Sequence, residues 1–484
     1  MNLRMIAKTI GQILLAEAAL MLPSVLVGLI YGETETWVFL PAIGILLAVG
    51  CVCLLFKPVS TEIFARDGYF IVAAAWILLS VFGALPFLFS GKFPSFWDCL
   101  FEIASGFSTT GASIVTDIDA LPKCILFWRS FSHWIGGMGV LMFVLAIMPL
   151  SEERSLHLMR AEVPGPVVGK LVPRIRDTAK ILYGVYTGLT ALLVILLLFG
   201  GMPLYDALCY AFGTAGTGGF GITNAGVGLY GSAYIEIVIS VFMVLFGINF
   251  NLYYFILIGK AKDAFKSEEL HVYLCVIAAA IAAISFNVYH LYQSVGQTLR
   301  YSFFQVGTII STTGFATADF AKDWPAFSQM VLVFLMFTGA CAGSTGGGLK
   351  ISRIIILFKT ILMEIRRLIH PRAVQIVRLE QKPVDYELIR TTLIFFSMYI
   401  ASLTVSTLLL SLDEPDFLTN FTASLACLSN IGPGLGKIGP TGNYAFYSAP
   451  SKVLLSLLML AGRLELFPLF VLFNFRSYTG KVAA

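Results

Sequence analysis

Long runs of apolar residues, each about the length of a membrane span, recur along the chain. The clearest runs cover residues 10–31, 37–56, 70–89, 125–150, 181–199 and 235–257. About 20 apolar residues cross the hydrocarbon core of a bilayer as a helix. Since the backbone has no water partners inside lipid, helices are the simplest structure for such runs, whereas a β-barrel would show short alternating segments. The pattern therefore predicts an all-α integral membrane protein with about ten transmembrane helices.

The composition agrees with a membrane protein and gives no sign of metal or disulfide chemistry. Hydrophobic residues make up 58% of the chain and charged residues only 12%, whereas a soluble domain carries about 25% charged residues. The cysteines form no CxxC pair and the histidines are dispersed, so neither type suggests a ligand set. A cleaved signal peptide is the less favoured interpretation of the N-terminus, because the first apolar run is long and a second follows at once.

Positive charge is distributed unevenly between two sets of connections. Most of the 32 Lys and Arg residues fall in one set, which includes the segments 151–180 and 350–390 and both chain ends. Because Lys and Arg accumulate in cytoplasmic loops, this set and both termini are predicted to be cytoplasmic. The opposite set covers residues 92–123, 201–232, 295–326 and 412–450. These outer stretches are too long for plain turns and too apolar for exposed loops, so we expect them to fold back within protein.

A glycine-centred segment recurs in each of the four outer stretches. The central residues are Gly111, Gly219, Gly314 and Gly432, at intervals of 108, 95 and 118 residues. Sixteen residues before each glycine stands a residue that favours helix N-termini, namely Ser95, Pro203, Thr298 and Asp416. Each unit is therefore predicted to contain an outer helix, a short descending helix of about three turns, a glycine segment and an inner helix.

This repeat divides the chain into five parts. The predicted parts are an N-terminal two-helix hairpin over residues 1–60 and four pore repeats over 68–150, 178–260, 270–360 and 388–476. Four short helices that end inside the membrane would direct their partially negative C-termini at one spot and favour a cation there. Glycine segments can turn carbonyl oxygens towards a common axis, and rings of carbonyls that replace the hydration shell are how potassium filters work. The alternative is that these glycines only let helices pack closely.

At these residues the chain resembles the superfamily of potassium transporters that includes TrkH, KtrB and the plant HKT proteins. The resemblance covers residues 68–475, and the additional N-terminal hairpin at about 8–56 is similar to the TrkH branch. It implies a selectivity filter that binds potassium, formed by Thr109, Thr110, Gly111, Thr217, Gly218, Gly219, Thr312, Thr313, Gly314, Asn430, Ile431 and Gly432. The glycine at position 111 implies potassium passage, since a serine at the first position goes with sodium preference in some plant relatives.

A run of glycines interrupts the third inner helix at residues 338–350. Glycine costs about 1 kcal/mol per residue in a helix interior, so five glycines within ten positions should break the helix until it resumes at Ile351. A broken span needs protein or a cavity around it, which predicts a plug in the pore. The alternative is an early helix end with the loop outside lipid. The resemblance implies a gate that involves Gly339, Gly343, Ser344, Thr345, Gly346, Gly347, Gly348, Lys350 and Arg463.

Arg463 is a charged residue inside the apolar run 453–473. An unpaired charge in the membrane is costly, so such residues face cavities or partners. Close to a pore, the guanidinium would oppose the passage of another cation. The alternatives are an ion pair with Glu465 or a helix-capping contact. The resemblance places this arginine close under the filter.

The resemblance also implies a homodimer in the bacterial cytoplasmic membrane, controlled by a cytosolic ring of TrkA-type nucleotide-binding subunits. The basic segments 151–180 and 350–390 would dock that regulator, or would bind anionic lipid and fix the topology. We expect no cofactor in this chain and no nucleic-acid partner. Potassium is the expected substrate, with rubidium and sodium as further candidate ions.

Potassium uptake through a channel-like pore is therefore the predicted function. The membrane potential supplies about 2.3 kcal/mol per charge per 100 mV and can drive accumulation by itself. The alternative is a secondary transporter that couples potassium to sodium or protons, whose broken helices would also bind ions near the midplane. The sequence contains no P-loop, nucleophile elbow or catalytic carboxylate pair, so we do not expect an enzyme.

Overall fold

The computed structural model describes residues 2–56, 65–139, 175–371 and 375–473. Within these ranges the chain is α-helical apart from one two-stranded hairpin. In these described ranges six helices are long and apolar enough to cross a membrane, and a bent helix pair adds a seventh candidate span. The all-α membrane class predicted from the sequence is therefore confirmed.

The N-terminal part forms a helical hairpin that is attached to the rest of the protein. It contains α1 (Leu3–Tyr31), a 3₁₀ turn (Thr34–Val38) and α2 (Phe39–Leu54). A Cβ atom added to Gly11 would lie 2.9 Å from the Gly50 carbonyl oxygen, so small residues let the two backbones approach closely. The Glu33 carboxylate accepts hydrogen bonds from the backbone N–H groups of Lys123 and Cys124 at 2.7 and 2.9 Å. These bonds cap the first inner helix.

Four units follow the hairpin, and each contains a short helix between longer helices. The first has α3 (Ala65–Gly83), α4 (Leu85–Ser90), α5 (Phe96–Phe107) and α6 (Lys123–Gly137). The second has α7 (Ile175–Phe199), α8 (Leu204–Ala215), α9 (Ala233–Phe246), α10 (Phe250–Leu257) and α11 (Ala261–Ala264). The third has α12 (Glu268–Tyr292), α13 (Val295–Ile310), α14 (Ala326–Thr338) and α15 (Ile351–Ile369). The fourth has α16 (Tyr386–Leu410), α17 (Phe417–Leu428), α18 (Ala449–Arg463) and α19 (Phe467–Phe473).

Apolar side chains lie on the surface as well as in the core, and several polar side chains are buried. Large apolar side chains on the outer helices are exposed, and Phe199 and Phe286 are 80% and 90% accessible. By contrast, Glu102, His133 and Asn430 are fully buried near the middle of the molecule. Exposed apolar surface on this scale fits a lipid environment, and buried polar groups mark the interior as the functional part.

A small β-hairpin connects α15 to α16 within the segment predicted to be cytoplasmic. Strands β1 (Arg378–Leu379) and β2 (Lys382–Pro383) pair in antiparallel fashion. The two turn residues, Glu380 and Gln381, both have positive φ angles of 52° and 63°, the pattern of a type I′ turn. The other basic segment predicted to be cytoplasmic, 151–180, lies mostly outside the described residues, as do the last residues of the chain.

Candidate functional site

The four short helices end at the same distance from the four glycines. Their C-cap residues, each three positions before a glycine, are Ser108, Gly216, Ser311 and Ser429. Three of the helices have 12 residues and α13 has 16. Twelve residues span about 18 Å at 1.5 Å per residue, less than the ~30 Å hydrocarbon core. These helices are too short to cross a bilayer, and their carbonyl ends face the glycine segments that follow.

Three of the four short helices begin at the residue that the sequence predicts. The N-caps of α5, α8 and α17 are Ser95, Pro203 and Asp416. The prediction for the third unit was wrong, because α13 begins one turn earlier, with Ser294 as its N-cap. Thr298 lies inside the helix, where its hydroxyl donates to the Ser294 carbonyl oxygen at 2.7 Å. Both residues carry a hydroxyl suited to an N-cap, so the local signal did not distinguish them.

The four glycine segments, residues 109–111, 217–219, 312–314 and 430–432, share one backbone shape. The residue two positions before each glycine has a φ between 55° and 60°, in the order Thr109, Thr217, Thr312 and Asn430. The four glycines have φ angles of 77°, 74°, 92° and 93°. Residues with side chains seldom adopt this left-handed conformation. Its recurrence at one position in all four units indicates that the segments are equivalent parts of one structure.

Contacts between the glycine segments form a closed ring. Cβ atoms added to the four glycines would collide with backbone carbonyl oxygens of the next unit, in the order Gly111 with Gly218, Gly219 with Thr313, Gly314 with Ile431 and Gly432 with Thr110. The last of these distances, from Gly432, is 2.6 Å. Each glycine thus contacts the glycine segment of the next unit rather than a helix. The structure therefore brings the twelve residues of the four segments together around a single axis.

Side-chain hydroxyls hold the first and third segments against their short helices. The hydroxyls of Thr110 and Ser108 lie 2.7 Å apart, and the same distance separates those of Thr313 and Ser311. Asn430 donates from Nδ2 to the Thr110 hydroxyl at 2.9 Å, so the fourth unit is joined to the first. These side chains maintain the shape of the ring.

The second segment is richer in glycine because a histidine packs against it. A Cβ atom on Gly218 would collide with the ring of His133, and one on Gly216 would collide with the carbonyl group of the same residue. The imidazole Nδ1 lies 2.9 Å from the Gly106 carbonyl oxygen, which fixes the ring between the first and second units. The additional glycines therefore have a packing role that the sequence alone does not reveal.

A buried ion pair supports the first two glycine segments. Arg129 donates from Nε to the Glu102 carboxylate at 2.5 Å, and from Nη1 to the Gly221 carbonyl oxygen at 2.8 Å. The same carboxylate accepts from the Ser113 hydroxyl and the Ile114 backbone N–H, both at 2.9 Å. Gly221 follows the second glycine segment. Ser113 and Ile114, which donate to the Glu102 carboxylate, follow the first. The pair therefore joins two units, and its hydrogen bonds offset the cost of burying both charges.

An open cavity of about 340 Å³, lined by all four units, lies on the side of the ring that the sequence predicts to face outward; we call it the outer cavity. Its rim includes Asp319, which accepts a hydrogen bond from the Thr441 hydroxyl at 2.7 Å and an ion pair from Lys322 at 3.1 Å. Burial alone would raise the pKa of Asp319, but the bonds from Thr441 and Lys322 outweigh it and lower the pKa below its usual value. The rim therefore carries a stable negative charge that links the third and fourth units.

The third inner helix is broken where the sequence predicts. Helix α14 ends at Thr338 and α15 begins at Ile351. The loop 339–350 closes on itself, since the Leu349 and Ile351 backbone N–H groups donate to Phe337 and Ala340 at 3.3 and 3.1 Å. Its residues are buried or nearly so. The loop is thus enclosed by protein and is not an exposed connection.

Loop 339–350 packs directly against the third and fourth glycine segments. The Gly347 backbone N–H donates to the Thr312 hydroxyl at 2.7 Å, and a Cβ atom on Gly347 would collide with the Ser429 carbonyl oxygen. The Cys341 N–H donates to the Gly247 carbonyl at 3.0 Å, at the bend between α9 and α10. The loop therefore contacts the second, third and fourth units.

Arg463 links the loop to the first unit. Its guanidinium donates from Nη1 to the Thr345 carbonyl oxygen at 2.7 Å. Nη2 donates to the carbonyl oxygens of Gly136, at 2.5 Å, and Gly137, at the C-terminus of α6. The side chain is 6% exposed. The helix-capping contact considered from the sequence is therefore present, and it lies next to the loop.

Arg353, Lys452 and Glu269 lie near the site and were not singled out from the sequence. Arg353 forms an ion pair with Glu465, and Lys452 of α18 pairs with Asp98 of α5 at 2.6 Å. Glu269 of α12 bonds to loop 339–350. The available signal was a charge in or beside an apolar run, which marks a buried partner but does not identify it. Among the described residues no group of three or more His, Cys, Asp or Glu side chains is placed to hold a metal ion.

These features define a multi-pass helical membrane protein in which four short helices and their glycine segments surround one axis. The profile of the TrkH family, described as cation transport protein, matches residues 38–273 and 269–481. The chain belongs to this family.

Named relatives cover almost the whole chain. The Trk system potassium uptake protein TrkH of Salmonella typhimurium is 36% identical over 98% of this chain and 99% of its own length. The Trk system potassium uptake protein TrkG of Escherichia coli is 33% identical, with 98% of both chains covered. The crystal structure of the potassium transporter TrkH from Vibrio parahaemolyticus superposes with a TM-score of 0.89 at 33% identity, over 98% of this chain and 99% of that one. These relatives are named as transporters, which confirms that the family is not one of enzymes.

Proposed function

We propose that this protein takes up potassium across the cytoplasmic membrane through a pore whose selectivity filter is the ring of four glycine segments. The closed ring of glycine contacts is the observation that carries this proposal. A ring of backbone carbonyl oxygens replaces the hydration shell of potassium as the ion enters. The relatives at 33–36% identity are named as potassium uptake proteins, which supports potassium as the substrate.

The electrostatics of the ring favour a cation. Four short helices present their C-terminal, partially negative ends to it. The hydroxyls of Thr110 and Thr313 bond to neighbouring serines, so the main-chain oxygens are the principal candidates for ion ligands. An ion would reach them from the outer cavity, whose rim carries the Asp319 carboxylate.

Loop 339–350 and Arg463 form the proposed gate. The loop packs beneath the third and fourth glycine segments, and Arg463 bonds to Thr345 within it. A positive charge at this point opposes the passage of a cation. Flux through the pore then requires the loop and the guanidinium to move aside together.

Partners and placement in the cell complete the proposal. We place the protein as a homodimer in a bacterial cytoplasmic membrane, with both termini inside and a TrkA-type nucleotide-binding regulator on the cytoplasmic side. The basic segment 350–390, which contains the β-hairpin, is the proposed docking region. Cross-linking in native membranes tests the dimer, and copurification with the regulator tests the docking region.

Coupled transport of potassium with sodium or protons is the rival function. Its prediction is that potassium flux depends on a sodium or proton gradient, whereas a pore passes potassium down its own electrochemical gradient. Single-channel recording in a planar bilayer distinguishes the two functions. Discrete openings support the pore. If no openings occur and potassium flux follows a sodium or proton gradient, the coupled transporter is supported.

Ion flux into liposomes tests the filter itself. The wild-type protein is expected to pass potassium and rubidium faster than sodium. Gly111→Ala should abolish this preference, because φ is 77° and the added Cβ collides with the Gly218 carbonyl group. Gly188→Ala in α7 is the matched control, since its Cβ would meet nothing within 4 Å. Equal behaviour of the two variants would overturn the proposed filter.

A further inference from the structure

One carboxylate holds both ends of loop 339–350. Glu269, in the first turn of α12, accepts hydrogen bonds at a single oxygen, Oε1, from the backbone N–H groups of Ala342 and Ser352 at 2.8 and 3.0 Å. We call the two halves of the loop its first and second arms. Ala342 lies in the first arm, and Ser352 lies in the first turn of α15, just after the second arm. The side chain of Glu269 is buried. A charged acceptor in this position forms strong hydrogen bonds and fixes the distance between the two arms.

Helix α15 depends on this carboxylate because it has no N-cap of its own. The N-cap position is Lys350, which has a φ of 74° and makes no side-chain capping bond. A lysine side chain has no acceptor for the free N–H groups at a helix start. Glu269 supplies the missing acceptor from another helix, together with a negative charge that the helix N-terminus favours.

Glu380, at the turn of the β-hairpin, in turn positions the start of α12. Its carboxylate accepts from the Ser267 hydroxyl at 2.8 Å and from the backbone N–H groups of Glu268 and Glu269 at 3.1 and 3.2 Å. Glu380 itself has a φ of 52°. A non-glycine residue in the left-handed region is strained, and here that conformation accompanies three hydrogen bonds to the helix start.

The two carboxylates therefore link an exposed element to a buried one. Glu380 is exposed on the hairpin and Glu269 is buried against loop 339–350. A cavity of about 890 Å³ lies beside both carboxylates and beside Ala342 and Ser352. This space borders both the hairpin and the start of α12.

We propose that Glu269 is a positioning residue that holds loop 339–350 in its closed arrangement, and that Glu380 transmits displacement of the β-hairpin to it. The proposal rests on the proposed gating role of the loop. A contact made on the cytoplasmic surface at the hairpin would move the start of α12, break the bonds from Glu269 and release both arms of the loop at once.

Potassium flux into liposomes, measured without any added protein, tests this coupling. Glu269→Ala is expected to raise the resting flux about tenfold, the ratio that corresponds to ~1.4 kcal/mol. Glu269→Gln keeps one acceptor oxygen and should give a smaller rise. Glu380→Ala should raise the flux in the same direction, and the double variant should match Glu269→Ala alone. The ratio of potassium to rubidium flux should stay unchanged in all of them, which a merely structural defect would not preserve.

Glu387→Ala is the matched control, because Glu387 is an exposed acidic residue in the first turn of α16. It should leave the flux at the wild-type level.

Deletion of residues 340–347 separates this inference from the proposed gate. If the deletion raises flux but Glu269→Ala and Glu269→Gln do not, the positioning role is wrong and the gate stands. If the deletion itself leaves flux unchanged, the gate is wrong. If Glu269→Ala raises flux further in the deletion background, Glu269 does not act through the loop and the inference is overturned.

Discussion

The Arg129 Nε atom lies 2.5 Å from the Glu102 carboxylate, and both side chains are at most 2% exposed. Glu102 accepts from the Ile114 backbone N–H beside the first glycine segment, and Arg129 donates to the Gly221 carbonyl oxygen beside the second. The two residues stand 27 positions apart in the chain. Their contact shows how a buried pair of charges supports the ring.

Removal of the Glu102 carboxylate should destabilise the folded protein strongly. Glu102→Ala leaves the Arg129 guanidinium buried without its charged partner, which costs about 3–5 kcal/mol. Thermal unfolding in detergent measures the loss, and liposome flux should show a reduced preference for potassium over sodium. The control is Glu35→Ala, since the Lys92–Glu35 pair is partly exposed with a 3.4 Å separation and is worth about 0–1 kcal/mol. Equal melting temperatures for the two variants would contradict the supporting role.

The contact between Gly218 and His133 predicts a rescue. Gly218→Ala places a methyl group in collision with the imidazole ring, and overpacking of this kind typically costs about 1–3 kcal/mol. His133→Ala removes the ring, so the double variant should recover part of the stability and flux lost in Gly218→Ala alone. Thermal unfolding and potassium flux of the three variants provide the measurement. Additive losses in the double variant would show that the two residues do not compete for the same space.

Loss of the Arg463 side chain should raise potassium flux. Arg463→Ala removes the bond to the Thr345 carbonyl group and the positive charge beside the loop, so the barrier to a cation falls. Arg463→Lys keeps the charge as a single ammonium group and should give an intermediate flux. Liposome flux and the yield of inserted protein are measured together. Unchanged flux with normal yield would remove Arg463 from the gate.

The outer rim should lose stability in acid. Hydrogen bonds from Thr441 and Lys322 lower the pKa of Asp319 below its usual 3.8 despite its burial. A carboxylate with a lowered pKa adds stability that is complete above the unfolded value of 3.8 and disappears as pH falls through the lowered pKa. Asp319→Asn should therefore reduce the melting temperature slightly at pH 7, and the difference from wild type should vanish in strong acid. A constant difference across that range would exclude titration of Asp319 as its source.

Local patterns in the sequence predicted most of the helices and the break at Thr338 and Ile351. They did not predict the 93° bend between α9 and α10, which lies inside the apolar run 235–257. Apolar runs, glycine positions and helix-starting residues are all properties of neighbouring positions, and they identified the start of three short helices. The third start, at Ser294, was missed because Thr298 offered an equally suitable hydroxyl one turn later.

The contacts that hold the site together were outside the reach of local patterns. Glu269 and Ala342 are 73 positions apart, and Arg463 and Gly136 are 327 apart. Such pairs depend on how the four units are arranged, which the sequence of one unit does not encode. The glycine-rich second segment is similar, since the need for Gly218 comes from a histidine in the preceding unit.

The ring of carbonyl contacts is drawn from one polypeptide, so its four quarters can differ. In an assembly of identical subunits, a single codon change alters every quarter at the same time. Here a change at Gly314 would alter one quarter and its neighbours, and leave the contact of Gly432 with Thr110 and Gly111 in place. Mutation can therefore adjust this ring in small steps, and each quarter is free to acquire its own supporting residues, as His133 beside the second quarter illustrates.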